Sequence, residues 1–260
     1  MPVNYTLIRG NSPIVATAIH DGHACREEIA PLFNLSAAER LREEDPFTAE
    51  WTRFSDNRIV FHQSRFETDV NRPREKAVYR RPEDAWGLKV WKDDPDESVI
   101  ASSLQLYDRF YEELKQYFDH LFTVHRRVVV YDIHSYNHRR DGQDIEAAPG
   151  ANPEINLGTK NMDRGLWAPV VNSLLEHFRS FDYRGRQLDA RENIKFQGGY
   201  FGQWLYERYG EDICPVSIEF KKFFMDEWTG KPFTDDIRLI SGMLGESRVP
   251  VIKAMTKLPI

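Results

Sequence analysis

Three short apolar runs, far apart in the chain, each end in side chains that bind metal or carry protons. Ile14-Val15-Ala16-Thr17-Ala18-Ile19 leads into His20-Asp21-Gly22-His23. Val128-Val129-Val130-Tyr131 leads into Asp132-Ile133-His134-Ser135-Tyr136, and Ile213-Cys214-Pro215-Val216-Ser217-Ile218 leads into Glu219. Runs of this length, rich in β-branched residues, read as strands buried on both faces, as in parallel sheets covered by helices. In an open α/β sheet, ligands sit just beyond the carboxyl ends of the strands. The pattern therefore predicts imidazoles and a carboxylate aimed at one rim, the inventory of a mononuclear zinc site.

The segments between these runs alternate in the way an α/β sandwich requires. Ser36-Ala37-Ala38-Glu39 has the form of a capping box, which predicts a helix through about Glu44, closed by Pro46. Arg58 to His62 alternates like a strand. Leu104, Tyr107, Tyr111, Leu114, Phe118 and Leu121 recur at helical spacing and predict a long helix capped by Ser102 or Ser103. Helices are also expected over 166–180, after Gln197-Gly198-Gly199 through Tyr209, and from Asp235 or Asp236 through about Leu244. Residues 81–97, with Pro82, Trp86, Trp91 and Pro95, read as a surface excursion over the active rim. The polar stretch 139–165 reads as a long loop of the kind that carries function. Strands alternating with helices predict one α/β domain over 1–260: a mixed, mainly parallel sheet with helices on both faces.

Bulk properties exclude other classes. With 260 residues the chain is long enough for a full core, and a net charge of −6 with no long basic run gives no support to nucleic-acid binding. No apolar stretch approaches the roughly 18 residues of a membrane span. The amino terminus lacks the charged-then-apolar pattern of a secretory signal. Two cysteines, Cys25 and Cys214, make no disulfide framework, so a cytoplasmic location is expected.

His20-x-x-His23 puts two imidazoles in one turn, and His134 follows its own strand. A close pair with a distant third is a common way to assemble three zinc ligands, so His20, His23 and His134 are the candidate set. Histidines at strand ends that merely bond to neighbours are the plainer alternative. Asp132 lies two residues before His134, on the same side of the strand. It either orients that ring or pairs with an arginine. Glu219 ends an apolar strand and is costly to bury without purpose. It either moves a proton or pairs with Lys221, Lys222 or an arginine. Asn71-Arg72 sets an amide beside a planar cation suited to carboxylates, and Tyr200 follows the glycines of Gln197-Gly198-Gly199. Taken alone, these last two features read as an ordinary surface pair and a turn preceding a helix. His62, His120, His125 and His177 read as structural or surface residues. His138 reads as a solvated loop histidine within reach of a substrate.

In order, His20-x-x-His23, Asn71-Arg72, His134 and Glu219 resemble the zinc carboxypeptidase and aspartoacylase superfamily, whose order is His-x-x-Glu, Asn-Arg, His, Glu. More specifically, the chain resembles the N-formylglutamate amidohydrolase family. The resemblance is carried by Asp69-Val70-Asn71-Arg72-Pro73-Arg74, Asp132-Ile133-His134-Ser135-Tyr136, Asn156-Leu157-Gly158-Thr159 and Ile218-Glu219-Phe220-Lys221, over roughly residues 13–230. It implies a phosphorylase/hydrolase-like three-layer sandwich and metal-assisted hydrolysis of a small N-acyl amino acid. It also implies Zn2+ or another divalent metal on His20 and His134, Glu219 as general base, and Asn71 and Arg72 on a substrate carboxylate. One position departs: the superfamily's glutamate is His23 here. Either His23 replaces it, or a carboxylate such as Asp21 or Glu27 supplies the third ligand.

Overall fold

The computed structural model describes residues 4–259. In chain order its elements are β1 (Tyr5–Ile8), β2 (Ile14–Ala18), α1 (Ala37–Glu43), α2 (Thr48–Trp51), β3 (Asn57–Phe61), α3 (Glu97–Val124) and β4 (Val128–Tyr136). There follow β5 (Ile155–Gly158), α4 (Ala168–Ser180), β6 (Ala190–Glu192), α5 (Tyr200–Tyr209), β7 (Ile213–Lys221) and α6 (Thr234–Met255). The strands form one seven-stranded sheet in the order β1-β3-β2-β4-β7-β5-β6. Its centre, β3-β2-β4-β7, is parallel. β1 and β5 join antiparallel, and β6 runs parallel to β5. The fold is thus the expected α/β sandwich with a mixed, mostly parallel sheet.

The alternation of side chains along β4 separates two cores. Val128 and Val130 join Val15, Ile59 and Phe61 under α3 and α5, where Phe110, Leu114 and Phe118 are fully buried. Val129, Tyr131 and Ile133 join Ile14, Val216 and Ile218 under α4 and α6. Each such Leu, Phe or Val contributes about 1.5–3 kcal/mol by leaving water, so the sheet is pinned from both sides. Asp132 and His134 continue the row of Val128 and Val130, as Ser217 and Glu219 continue that of Ile213. In the parallel β4–β7 ladder Asp132 pairs with Ser217 and His134 with Glu219. Register therefore carries the polar ends of both strands to the same face of the sheet.

Several boundaries differ from the sequence expectation. The capping box at Ser36 and Glu39 is present in both directions, but α3 begins at Glu97, before the expected Ser102 or Ser103. Ser103 is instead buried inside the helix, accepting from Arg26 Nη2 at 2.8 Å. α6 continues past Leu244 to Met255, through Gly245 and Pro250. Burial of Val251 and Ala254 in the core outweighs the lost helical hydrogen bond. The stretch 139–165 is not one loop: β5 lies within it, antiparallel to β7. Asn156 secures that strand, its Oδ1 accepting from the backbone of Ile194 and Lys195 and its Nδ2 donating to Phe196 O. The excursion 81–97 carries part of a third cluster, in which Trp91 is buried and donates to Tyr79 O.

Candidate metal centre and substrate cleft

Three buried side chains, His20, Asp45 and His134, each bring a donor atom to within 4.8 Å of the others. His20 lies just past the end of β2 and His134 near the end of β4, as their strands predict. Asp45 arrives from the turn between α1 and α2. Its N–H donates to His20 O at 2.9 Å, and Thr48 closes the turn through Oγ1 to Asp45 O at 2.7 Å. The chain then reverses through Phe47, whose φ of 73° lies in the left-handed region.

Each histidine has a carboxylate behind it. Nε2 of His20 lies 2.7 Å from Oδ1 of Asp69, which leaves Nδ1 facing Asp45 Oδ2 at 3.6 Å. Nδ1 of His134 lies 2.9 Å from Asp45 Oδ2, and its Nε2 lies 3.0 Å from Oδ2 of Asp132, short of hydrogen-bond alignment. Thr17 Oγ1 donates to the other oxygen of Asp132 at 2.7 Å. Asp69 is itself a hub: Tyr79 and Arg65 bond its second oxygen, and its first also accepts from Asn71 N. Carboxylates behind metal-binding imidazoles fix tautomer and ring orientation. Two nitrogens and one carboxylate oxygen, with room for further ligands, fit a catalytic divalent metal such as zinc. Asp132 thus stands beside His134, and among the described residues no arginine pairs with it.

The expected convergence of His23 with His20 and His134 is not found. Its Nδ1 lies 2.5 Å from Oε2 of the buried Glu44, and the side chain is 40% exposed. The alternatives also lie elsewhere. Asp21 Oδ1 accepts from Ala49 N at 2.9 Å, and Glu27 is exposed. The third donor atom beside His20 and His134 is instead that of Asp45. It was missed because Glu43-Glu44-Asp45-Pro46 looks like an acidic helix end stopped by proline. Asp69 was missed as a partner of His20 although it stands two residues before Asn71.

The charges depress and raise one another in a consistent pattern. Burial disfavours the ionised form of Asp45, but His134 and His20 outweigh it and hold its carboxyl below the usual range. Burial also opposes a charged His134, yet Asp132, Asp45 and Glu219 bring its pKa well above the ordinary value. Glu219, paired in register with His134, is pushed up to about 7 by burial, with Asp45 and Asp132 adding to the rise and His134 opposing it.

His20, Asp45, His134 and Glu219 line a cleft of about 770 Å³. Its other walls include Asn71, Arg72, Trp86, Tyr136, Lys160, Phe196 and Tyr200. Arg72 makes no side-chain ion pair or hydrogen bond among the described residues, whereas Arg65 is tied to Asp69 and Arg140 to Glu43. Asn71 is half committed: its Oδ1 accepts from Phe201 N at the start of α5. It packs so closely that a Cβ on Gly199 would lie 2.3 Å from that oxygen. Trp86, 48% exposed, leans over the Arg65 guanidinium at 4.8 Å and brings the 81–97 excursion to the cleft. His138 is neither solvated nor in the cleft; it is buried, with its N–H donating to Glu227. His62 and His177 bond to Thr6 and to Met243 O, as structural residues do.

Two solved structures share this architecture. An N-formylglutamate amidohydrolase from Ralstonia eutropha superposes with a TM-score of 0.72 at 15% identity, covering 96% of this chain and 98% of its own. A gene product of Agrobacterium tumefaciens does so with a TM-score of 0.69 at 18% identity, covering 98% and 96%. At such identities the likeness concerns the fold. Among curated proteins none matches the chain. The family model for N-formylglutamate amidohydrolase matches residues 12–225, which include every donor and cleft residue named above, and the chain belongs to that family.

Proposed function

We propose that this chain hydrolyses the amide bond of a small N-acyl amino acid, of the N-formyl-glutamate type for which its family is named. The His20–Asp45–His134 donor triangle, with Glu219 in register beside it, carries this reading. His20 Nδ1, Asp45 Oδ2 and His134 Nδ1 would hold a divalent metal, zinc by the chemistry of the donor set. Such an ion supplies Lewis acidity to the acyl carbonyl and acidity to water. Compared with three histidines, Asp45 removes one unit of positive charge and restores the balance of a two-histidine, one-carboxylate site.

The remaining steps belong to the protein. Glu219, in register beside His134, takes a proton from water and passes it to the leaving amine, as a positioned carboxylate does in general acid–base catalysis. Arg72 grips the substrate carboxylate through its planar fork, and Asn71, which lines the same cleft, adds its amide nitrogen as a neutral donor. A formyl group offers little to bind, so orientation of the scissile bond depends on the amino-acid half.

The test is turnover of N-formyl-glutamate, other formylated and acetylated amino acids, and short peptides, with and without a chelator and with zinc restored. Chelator-sensitive release of formate or acetate is expected. Turnover of peptides alone would favour a carboxypeptidase-like enzyme. No turnover by the zinc-loaded protein would favour a ligand-binding relative and sink the proposal.

A further inference from the structure

Lys222 lies three residues beyond Glu219, just past the end of β7, and is buried, with 2% of its surface exposed. A lysine loses strong hydration there, and burial lowers its pKa to about 8. Its position is nevertheless specific. Nζ donates to the carbonyl of Arg42 at 2.6 Å and to that of Glu44 at 2.7 Å. These carbonyls belong to the last turn of α1 and to its C-cap, where helical partners run out and a cation is favoured. Glu44 is also the residue immediately before Asp45.

Asp45 is therefore held from two directions. On its carboxyl side Thr48 closes the turn, and its own N–H reaches His20 O. On its amino side, the end of α1 is fastened to β7 by Lys222. β4 lies beside β7 in full register, so one ammonium ties the Asp45 turn to the strand pair that carries His134 and Glu219.

We propose that Lys222 is a positioning residue for the metal centre: its two hydrogen bonds set where Asp45 stands relative to His20 and His134. The inference rests on reading those three residues as metal ligands. It opposes the simplest electrostatic expectation. A cation close to Asp45 repels a divalent metal, so if charge alone mattered, removing Lys222 would tighten metal binding. If placement of Asp45 matters more, removing it weakens binding, as loss of outer partners of metal ligands does. The sign of the change separates the two.

The experiment titrates Zn2+ into wild type and Lys222→Met against a chromophoric chelator, with circular dichroism and thermal melting in excess chelator to confirm folding. Zinc affinity of the folded variant should fall by about 10–100-fold. Unchanged or tighter binding by a folded variant would overturn the proposal. Should Lys222→Met not fold, Lys222→Gln, which keeps a neutral donor of shorter reach, carries the same comparison. A wild type that binds no zinc would instead remove the ligand assignment itself, an outcome plainly distinct from equal affinities.

Discussion

The two sides of the cleft are built in opposite ways. On one side His20, Asp45 and His134 are each 2% exposed, sit at strand ends or in a tightly closed turn, and lie against Asp69, Asp132 or each other. On the other side, among the described residues, the Arg72 side chain has no partner and the Lys160 ammonium bonds only to the amide of Gln197, while Trp86 is half exposed on a surface excursion. The first side resists movement, because shifting one donor breaks bonds to several buried charges. The second can adapt at small cost. Chemistry that needs fixed geometry belongs on the rigid side, and selection among substrates on the loops. Within one loop, Asn71 is tethered to α5 while the side chain of the neighbouring Arg72 has no partner among the described residues.

The sharpest way to break this comparison is to remove donors from the rigid side. Asp45→Ala should lose its metal, falling to background by elemental analysis, with activity going too. His23→Ala should keep both, since His23 bonds to Glu44 instead. If the two variants behaved alike, Asp45 would not be the third ligand. Next in size is Glu219→Gln, which preserves shape and register. Metal content should be unchanged, with kcat down by about 10²–10⁴-fold. Loss of metal from this variant would make Glu219 a ligand and end its assignment as the base.

The same contrast explains what could be read from residues alone. The central strands and α3 were legible because periodic apolar side chains report burial directly, and His20, His134 and Glu219 inherited their places from those strands. Asp132 was legible as one of two options because its spacing from His134 is a strand period. Asp45 and Asp69 were not. Each is a carboxylate in a polar segment, and only the tertiary path, with Asp45 N–H bonded to His20 O and Asp69 bonded to His20 Nε2, turns it inward. His23 misled for the converse reason: three residues after His20 is close in sequence, but the turn sends its ring to Glu44. β5 escaped notice because Asn156 and Gly158 resemble loop residues, while the bonds that make Asn156 a strand residue come from positions 194–196.

On the adaptable side, Arg72→Lys should cost more than conservation of charge suggests. A lysine ammonium cannot reproduce two parallel hydrogen bonds to a carboxylate. The expected loss is about 1.5–3 kcal/mol, or roughly 10–150-fold in kcat/KM. Wild type should strongly prefer an N-acyl amino acid over its carboxamide, and the variant should show little preference. Metal affinity should not move, since Arg72 bonds to none of the donors. Equal use of acid and carboxamide by wild type would remove the clamp and leave recognition to other residues of that wall.

A smaller effect tests the support behind His134. Thr17 Oγ1 donates to Oδ1 of Asp132, and Oδ2 lies 3.0 Å from His134 Nε2. In Asp132→Asn, with the Thr17 hydroxyl donating to residue 132 at 2.7 Å in preference to Tyr131 O at 3.5 Å, the amide oxygen stands on the Thr17 side and the NH2 faces Nε2. A donor then faces the N–H that His134 must carry on Nε2 if Nδ1 is to offer its lone pair to a metal. The ring must shift its proton to Nδ1 or rotate, and either change weakens binding. Zinc affinity should fall by about 10–100-fold with no loss of fold. Adding Thr17→Val frees the amide to present its oxygen to Nε2, so the double variant should bind zinc more tightly than Asp132→Asn alone. If the second substitution gave no recovery, Asp132 would act on His134 through its charge, and tautomer control would be withdrawn as the explanation of the pair.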